Sequence, residues 1–397
     1  MIIKPRIRGF LCTTAHPAGC AQDVANQIDH AESKGVRSDG PKRVLIIGAS
    51  GGYGLASRIS TAFGFGSSTV GVFFERPASG NRTASPGWYK TAAFTEKAKA
   101  KGLYTANING DAFSQAIKDA TCDLIEKDLG QIDLVVYSLA APARQLPDGS
   151  VVRSALKPIG EPFEGSTIDL NSRELKSLSL EPANEEEVSD TIRVMGGEDW
   201  ELWVQALLAR GLLAPGCITT NYTYLGSEVT WPIYHHGTIG KAKEDLDRAQ
   251  SALVDPMASV GGKAHVVVMK GLVTQAASAI PGMSIYLSLL FRAMKKAGTH
   301  EGCIEQTTRF FTTQLYGSGE HRTDEGGRIR MDELELRDDI QQFVADSWPL
   351  VSAETLDDMT DFDGYKQAYL EMHGFEVAGM DYELEVDPEV SIELQIG

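Results

Sequence analysis

Short apolar runs alternate with polar or amphipathic stretches through the first third of the chain. The apolar runs are Val44–Ile47, Ser68–Phe74, Leu103–Asn109 and Ile132–Tyr137, and the stretches between them are Leu55–Phe63, Thr91–Lys101 and Phe113–Leu129. Continuous apolar strands are typical of a sheet that is covered on both faces. Repeated strand–helix units predict an α/β fold with a Rossmann-type, doubly wound parallel sheet.

The second half of the chain continues this pattern less regularly. Cys217–Leu225 and Lys263–Met269 predict a fifth and a sixth strand. Gly196–Ala209 predicts an amphipathic helix, in which we expect Trp200 and Trp203 to anchor the core rather than stack on a substrate. Further helices are predicted for Ile280–Lys296, Glu301–Tyr316, Arg328–Ala345 and Asp363–His373.

We expect one enlarged domain that comprises residues 1–397. Residues 1–42 precede the first strand and predict an accessory segment with a helix over Gln22–Lys34. Residues 144–190 combine short β-like pieces with Pro and Gly turns, and they predict an insertion over the ligand crevice. Residues 325–397 predict peripheral C-terminal helices.

The first strand ends in a glycine-rich turn. Gly48, Gly52 and Gly54 follow Ile47 as G-x-x-x-G-x-G, and a helix-forming segment comes next. Glycines at such a turn let the backbone approach a pyrophosphate, whose charge is favoured by the amino end of the helix. A plain turn without a ligand is the alternative interpretation, but the following strand and its terminal acid favour a dinucleotide site.

That acid is Glu75, which lies 21 residues after Gly54. A carboxylate at about this spacing binds the adenosine ribose hydroxyls. Because it repels a 2′-phosphate, the sequence predicts NAD, with NADH preferred over NADPH. Arg76 argues the other way, since an arginine next to the acid can receive that phosphate. Asp111 follows the third strand, where it either binds adenine or caps the next helix.

The net charge of −17 argues against nucleic-acid and anionic membrane partners. Met1–Leu11 lacks the apolar stretch of a signal peptide, and no segment is apolar over a membrane-spanning length, so we expect a cytoplasmic location. The five cysteines are scattered and predict reduced thiols. Cys12, His16 and Cys20 fit no standard zinc spacing, so we expect no metal site.

Candidate chemistry follows the fifth strand. Tyr234 precedes a predicted helix that contains Lys241 and Lys243. A phenol can donate a proton to a developing oxyanion, and a nearby ammonium can stabilise the phenolate and hold the nicotinamide ribose. Tyr234 and Lys243 are nine residues apart, which on one helix is about 13 Å along the axis. Tyr234 must therefore lie in the loop before the helix, and Thr238 is a candidate for the N-cap of that helix. The spacing does not choose between Lys241 and Lys243.

Several blocks resemble one family along nearly the whole chain. They are KPRIRGFLCTTAHPAGC, GASGGYGLASRI, PGWY, YSLAAP, RVMGGEDW, Tyr234-x8-Lys243, GLVTQAASAIP and THEGCIEQ. In these blocks the chain resembles the long, monomeric, NADH-dependent trans-2-enoyl-CoA reductases, also known as V-type enoyl-acyl carrier protein reductases.

The resemblance implies specific roles for residues of this chain. It implies Tyr234 as the proton donor, Lys243 rather than Lys241 as the cofactor-binding lysine, and Tyr224 as a substrate contact. For NAD it implies contacts from Gly48, Ala49, Ser50, Gly51, Gly52, Tyr53, Phe74, Glu75, Asp111, Ala112, Leu139, Ala140, Lys243, Leu272, Val273 and Thr274.

The implied activity is reduction of the 2,3 double bond of an enoyl thioester of acyl carrier protein or coenzyme A. Two alternatives share the fold. A short-chain-type ketoreductase needs a tyrosine and a lysine four residues apart, and this spacing does not follow the fifth strand. A non-catalytic NAD-sensing protein needs neither Tyr234 nor Lys243, yet both are present.

Overall fold

Seven parallel strands form the centre of the computed structural model, which describes residues 1–397. They are β1 (Arg43–Ile47), β2 (Ser68–Phe73), β3 (Thr105–Asn109), β4 (Ile132–Tyr137), β5 (Leu213–Thr223), β6 (Lys263–Val268) and β7 (Ile329–Arg330). Their spatial order is β3-β2-β1-β4-β5-β6-β7. The order reverses between β1 and β4, and open α/β sheets bind ligands at such a switch point, beyond the carboxyl ends of the strands. The predicted fold class is confirmed.

Helices cover both faces of the sheet and extend beyond it. They are α1 (Pro17–Ser33), α2 (Gly52–Phe65), α3 (Pro86–Ala100), α4 (Gln115–Asp128), α5 (Glu185–Met195), α6 (Glu198–Ala209), α7 (Thr238–Ala258), α8 (Gln275–Ser278), α9 (Met283–Lys296), α10 (Cys303–Arg309), α11 (Asp338–Ser347), α12 (Leu356–Met359) and α13 (Phe362–Glu371). Short 3₁₀ turns occur at Glu228–Thr230 and Trp348–Leu350, and a π-helical turn at Phe310–Leu315. None of the helices has the length and apolar character that crossing a membrane requires.

Three antiparallel ribbons lie outside the central sheet. Ile7–Arg8 pairs with Leu11–Cys12 at the amino end. Within the predicted insertion, Ala143–Gln145 pairs with Val151–Arg153, and Phe163–Ile168 pairs with Leu175–Leu180.

The two tryptophans of α6 lie in the core, as the sequence predicts. Trp200 and Trp203 are fully buried. Each indole N–H finds an acceptor: Trp200 donates to Thr219 Oγ1 at 2.8 Å, and Trp203 donates to the Ala112 carbonyl at 3.1 Å. Because a buried indole needs such a partner, these bonds fix α6 against β5 and against the turn that follows β3.

The helix predicted for Arg328–Ala345 is wrong in its first half. Ile329–Arg330 forms β7, which pairs with Val267 and Val268 of β6, and a helix begins only at Asp338. Ile329 and Met331 are fully buried. A two-residue strand is too short to show a period of two, so only pairing with β6 identifies it. This part of the C-terminal region is therefore not peripheral.

Candidate functional site

The glycine turn after β1 packs more tightly than side chains would allow. Gly48 has φ +87°, and a Cβ there would overlap the Ser138 carbonyl after β4. A Cβ on Gly54 would overlap the Gly48 carbonyl. These two glycines therefore bring β1, β4 and α2 together, as the sequence predicts.

The start of α2 is suited to an anion. The N-cap residue is Gly51, which has no capping side chain, and no atom lies within 4 Å of the position of a Cβ there. The first N–H groups of the helix and its positive dipole end thus remain directed outward. The turn fits a pyrophosphate, which supports the dinucleotide hypothesis.

Glu75 is held at the carboxyl end of β2. Ser50 Oγ donates to Glu75 Oε1 at 2.7 Å, and Asn109 binds both backbone groups of Glu75 at 2.8 and 3.0 Å. Gly87, at the start of α3, lies so close that a Cβ there would overlap the carboxylate. Burial raises the pKa of Glu75, and hydrogen bonds from Ser85 and Ser50 oppose that shift.

The neighbours of Glu75 differ in exposure. Phe74 has 78% of its side chain exposed, which leaves its ring free to contact a ligand. Arg76 is also exposed, and its backbone N–H donates to Ser85 Oγ at 3.0 Å. The arginine therefore forms no part of the buried arrangement that fixes Glu75.

Asp111 does not cap the helix after β3. The cap of α4 is Ser114, whose Oγ accepts from the Ile117 N–H, whereas Asp111 Oδ1 accepts from the Phe113 N–H at 3.0 Å. The capping alternative is thus wrong, and Asp111 instead shapes the turn ahead of α4. The buried Ala112 carbonyl accepts from Lys118 Nζ at 2.9 Å.

The loop after β4 carries Leu139 and Ala140. The backbone N–H of Ser138 donates to the Ile47 carbonyl at 2.8 Å, which sets this loop beside the glycine turn. Leu139 packs partly against the core, whereas Ala140 is exposed. The two small-residue turns thus lie side by side at the switch point of the sheet.

Tyr234 lies in the turn before α7, as the spacing requires. The Tyr234 carbonyl accepts from the N–H groups of Gly237 and Gly240, at 3.1 and 3.0 Å, and a Cβ on Gly240 would overlap the His235 carbonyl. The phenol is 3% exposed, and burial, with a smaller contribution from Glu335, raises its pKa. Its hydroxyl makes no hydrogen bond within the protein.

Thr238 is not the cap of α7. The N-cap is Gly237, and the Thr238 hydroxyl donates to the Ala155 carbonyl of the predicted insertion. The Thr238 N–H also donates to the Lys157 carbonyl at 3.0 Å. The insertion therefore contacts the segment that carries Tyr234.

The two candidate lysines have different surroundings. Lys241 is exposed and pairs with Glu244 at 2.8 Å. Lys243 is three residues after Gly240, so it shares the helix face that contacts the Tyr234 backbone. It is partly buried and makes no ion pair, and burial lowers its pKa to about 8. These features favour Lys243 over Lys241.

Tyr224 packs against Tyr234 directly after β5. The ring centroids are 4.9 Å apart, with an interplanar angle of 73°. This edge-to-face arrangement orients both phenols at the carboxyl edge of the sheet. The Tyr224 hydroxyl donates to Glu335 Oε1 at 2.8 Å.

The segment after β6 meets the glycine turn. The Thr274 methyl lies 3.6 Å from the position of a Cβ on Gly52, and Leu272 and Val273 are buried. The Thr274 hydroxyl accepts from the Ala277 N–H at 3.1 Å and so caps α8. The Tyr53 hydroxyl joins the same region by donating to the Lys270 carbonyl at 2.9 Å.

Two buried charged residues behind this edge were not predicted from the sequence. Glu335 is fully buried, and Lys270 is 2% exposed. Lys270 Nζ donates to the Gly271 carbonyl at 3.0 Å, and burial lowers its pKa to about 8, against the opposing influence of Glu335 and Glu301. Neither residue belongs to a recognisable motif: Lys270 lies just after β6, and Glu335 lies in the turn after β7, where the sequence predicts a helix.

One surface cleft lies away from these residues. It has a volume of about 500 Å³ and lies between α1, α3 and the C-terminal tail. It contains none of the candidate site residues. The candidate site residues lie instead near the carboxyl ends of β1 to β6.

Three family profiles match consecutive parts of the chain. The trans-2-enoyl-CoA reductase catalytic region matches residues 82–316, and the NAD(P)H binding domain of trans-2-enoyl-CoA reductase matches residues 2–80. The profile described as an enoyl reductase FAD binding domain matches residues 323–386.

Individual relatives are similar over their full length. The enoyl-[acyl-carrier-protein] reductase [NADH] FabV of Aeromonas salmonicida is 54% identical, and 99% of each chain is covered. The enoyl-[acyl-carrier-protein] reductase [NADH] of Edwardsiella ictaluri has the same identity and coverage.

Two solved structures have the same fold throughout. The trans-2-enoyl-CoA reductase of Clostridium acetobutulicum in complex with NADH is 41% identical, has a TM-score of 0.95 and is covered, like this chain, over 98% of its length. The Treponema denticola trans-2-enoyl-CoA reductase in complex with NAD is 45% identical and has a TM-score of 0.94, with 99% of this chain and 100% of that chain covered.

Proposed function

Since this chain belongs to the trans-2-enoyl-CoA reductase family, we propose that it reduces the 2,3 double bond of trans-2-enoyl thioesters with NADH. This is the last reductive step of the fatty-acid elongation cycle. The observation that carries the proposal is the 54% identity over 99% of the chain to an NADH-dependent enoyl-acyl carrier protein reductase. The buried, unpartnered Tyr234 hydroxyl at the carboxyl edge of a dinucleotide-type sheet agrees with it.

The family resemblance gives the dinucleotide-binding residues of this proposal, and the geometry of the glycine turn supports them. The N–H groups at the start of α2, around Gly51 and Gly52, bind the pyrophosphate, with Ala49, Ser50 and Tyr53 alongside. Glu75 would accept from the adenosine ribose, and Phe74, Asp111 and Ala112 would hold the same half of the cofactor. Leu139 and Ala140 would also contact the cofactor, and the segment Leu272–Thr274 would lie near its nicotinamide.

The charge at Glu75 selects the cofactor. Ser50 Oγ donates to this carboxylate, Gly87 lies against it and Asn109 fixes the Glu75 backbone, so the carboxylate cannot swing away from a 2′-phosphate without losing the Ser50 hydrogen bond. A phosphate there would meet a negative charge in a partly buried site. NADH is therefore preferred over NADPH.

Tyr234 supplies the proton. NADH provides the hydride that reaches the β-carbon of the enoyl thioester. Negative charge then develops on the thioester oxygen, where the Tyr234 hydroxyl donates a hydrogen bond and stabilises it. Because burial raises the pKa of Tyr234, the phenol stays protonated at neutral pH and is ready to donate.

Lys243 holds the nicotinamide ribose. Its pKa of about 8 leaves most of the side chains charged at neutral pH. With no carboxylate paired to it, the ammonium is available to bind ribose hydroxyls and to favour the phenolate left on Tyr234. Lys241 is instead exposed and paired with Glu244, which supports Lys243 as the functional lysine.

The insertion, residues 144–190, covers the substrate side of the crevice within one domain of residues 1–397. This proposal is supported by its contacts with the start of α7: the Lys157 carbonyl accepts from Thr238, and Pro158 forms a β-bridge with Gly237. Limited proteolysis with and without NADH tests it, because cleavage in the insertion is then expected to slow when the crevice is filled. Equal cleavage rates would contradict the proposal.

The activity is tested by following NADH absorbance with purified protein. We expect oxidation that depends on crotonyl-CoA or crotonyl-acyl carrier protein, and little with acetoacetyl-CoA. Oxidation with the ketone alone would indicate a ketoreductase. NADH binding without turnover on any thioester would indicate a sensing protein.

Two further properties are proposals. The family resemblance suggests that the protein acts as a monomer, which sedimentation equilibrium tests directly. The absence of a membrane-spanning helix agrees with a cytoplasmic location, which cell fractionation tests. The choice between acyl carrier protein and coenzyme A rests on comparing kcat/KM for the two thioesters of one acyl chain.

A further inference from the structure

One fully buried carboxylate joins the substrate side of the site to the nicotinamide side. Glu335 Oε1 accepts from the hydroxyls of Tyr224 and Tyr286, at 2.8 and 2.5 Å. Its other oxygen, Oε2, accepts from the backbone N–H of Gly271 at 2.6 Å. The three donors come from three elements: the end of β5, helix α9 and the end of β6.

The groups around this carboxylate are closely packed. A Cβ on Gly271 would lie 3.1 Å from the Tyr224 hydroxyl and 3.3 Å from Glu335 Oε1. A side chain at residue 271 would therefore push the Tyr224 hydroxyl or the carboxylate aside by a few tenths of an ångström. Gly271 also begins the segment whose Thr274 contacts the glycine turn.

Tyr224 has only one hydroxyl proton, and it is directed at Glu335. The ring of Tyr224 packs edge-to-face on Tyr234, whose own hydroxyl has no partner within the protein. The two neighbouring phenols are thus made unequal by Glu335. One is fixed as a donor to the protein, and the other is free to donate to substrate.

We propose that Glu335 is a positioning residue for enoyl reduction. Its carboxylate fixes Tyr224 and the Gly271–Thr274 segment relative to each other. Because it accepts the hydrogen bond of the Tyr224 hydroxyl, that hydroxyl does not donate to the substrate, and Tyr234 alone is the donor. This inference rests on the proposed function of the same site. Lys270, whose ammonium lies in the same buried region, supplies a compensating positive charge.

Glu335→Gln tests the proposal because it keeps the shape but replaces one acceptor oxygen with an NH2 donor. Three donors then face a single acceptor, so either the Tyr224 hydroxyl or the Gly271 N–H loses its bond. We expect kcat per NADH-binding site with crotonyl-CoA to fall about 10- to 100-fold, while KM for NADH changes by less than about 3-fold. Fluorescence titration with NADH counts the binding sites, so unfolded protein does not enter kcat.

Asp332→Asn is the matched control. Asp332 is also buried and lies in the same segment after β7. Its carboxylate forms an ion pair with Arg330, at 2.6 Å, and not a hydrogen bond with Tyr224 or Gly271. We expect this variant to lose thermal stability without losing kcat per site. If Glu335→Gln and Asp332→Asn give the same kcat per site, Glu335 is only a structural residue and the proposal is overturned.

A double-mutant cycle separates positioning from general loosening. If Glu335 acts through Tyr224, Tyr224→Phe combined with Glu335→Gln is expected to be no slower than the slower single variant. Multiplied losses would contradict the coupling. Should Glu335→Gln fail to fold, Glu335→Asp keeps the charge but shortens the reach, and a wild-type kcat per site in that variant would equally overturn the proposal.

The inference and the proposed function fail in different ways. Wild-type protein that binds NADH but does not reduce crotonyl-CoA or crotonyl-acyl carrier protein would refute the function. A wild-type enzyme that is active, with Glu335→Gln equally active per site, would refute the inference alone.

Discussion

Replacing Tyr234 by phenylalanine removes one oxygen atom from a buried side chain. The ring is 3% exposed and packs on Tyr224, and both features are kept in the variant. Because the hydroxyl has no hydrogen-bond partner in the protein, its removal leaves no buried group unsatisfied. We therefore expect the free energy of unfolding of Tyr234→Phe to stay within about 0.5 kcal/mol of the wild-type value.

The catalytic cost is expected to be much larger. The lost hydroxyl is the donor placed where negative charge develops on the thioester oxygen. Removing a single donor of this kind raises the activation free energy by about 3–4 kcal/mol, which lowers kcat about 100- to 1000-fold. NADH affinity is expected to remain unchanged, since Lys243, Glu75 and the glycine turn are intact.

The assay combines NADH absorbance with crotonyl-CoA, NADH fluorescence titration and chemical denaturation. Tyr222→Phe is the matched control, because Tyr222 is another buried tyrosine whose hydroxyl hydrogen-bonds Ser57 Oγ at 2.7 Å. That variant is expected to lose about 1 kcal/mol of stability and to keep its kcat. A Tyr234→Phe enzyme that retains kcat within about 3-fold would refute the assignment of the proton donor.

Three further predictions concern the cofactor site and the core. Lys243→Met is expected to raise KM for NADH about 10-fold, whereas Lys241→Met leaves it unchanged. Because burial lowers the pKa of Lys243 to about 8, kcat/KM for NADH should fall as the pH rises through about 8. Lys243→Arg should move this descending limb of the pH profile to higher pH. A limb that stays near 8 in Lys243→Arg would show that another group causes it. Glu75→Ala is expected to raise kcat/KM for NADPH relative to NADH about 10-fold, measured by initial rates, and an unchanged ratio would exclude Glu75 as the selecting charge. Trp200→Ala is expected to cost about 3–5 kcal/mol in urea unfolding, because it leaves a large cavity and an unpaired Thr219 hydroxyl, and a loss below about 1 kcal/mol would contradict its role as a core anchor.

Residues close together in the chain were predictable because their chemistry is local. The run Val44–Ile47, the glycine turn and the acid at Glu75 predict a strand, an anion site and a ribose contact from spacing alone. The structure confirms the strand and places Glu75 just after β2, while the two ligand contacts stay predictions. The nine-residue separation of Tyr234 and Lys243 likewise required a loop before α7, because no helix brings residues nine apart onto one face. Trp200 and Trp203 were predicted as core from their position on an amphipathic helix.

Residues that meet only in the folded chain were not predictable in this way. Strand β7 has two residues, so its strand character depends on pairing with β6 rather than on its own pattern. Ser114, not Asp111, caps α4, and the Thr238 hydroxyl binds the insertion instead of capping α7, since several polar side chains compete at each helix start.

The sequence by itself thus determined the fold class and the glycine turn after β1, because periodicity and short-range spacing encode them, whereas the choice of Lys243 over Lys241 came from the family resemblance. Tertiary structure alone decided which acceptor each buried donor finds. Glu335 is 111 residues from Tyr224 and 64 from Gly271, yet it bonds both. A buried charge must satisfy its hydrogen bonds from whatever the fold brings near, and no local pattern records that choice.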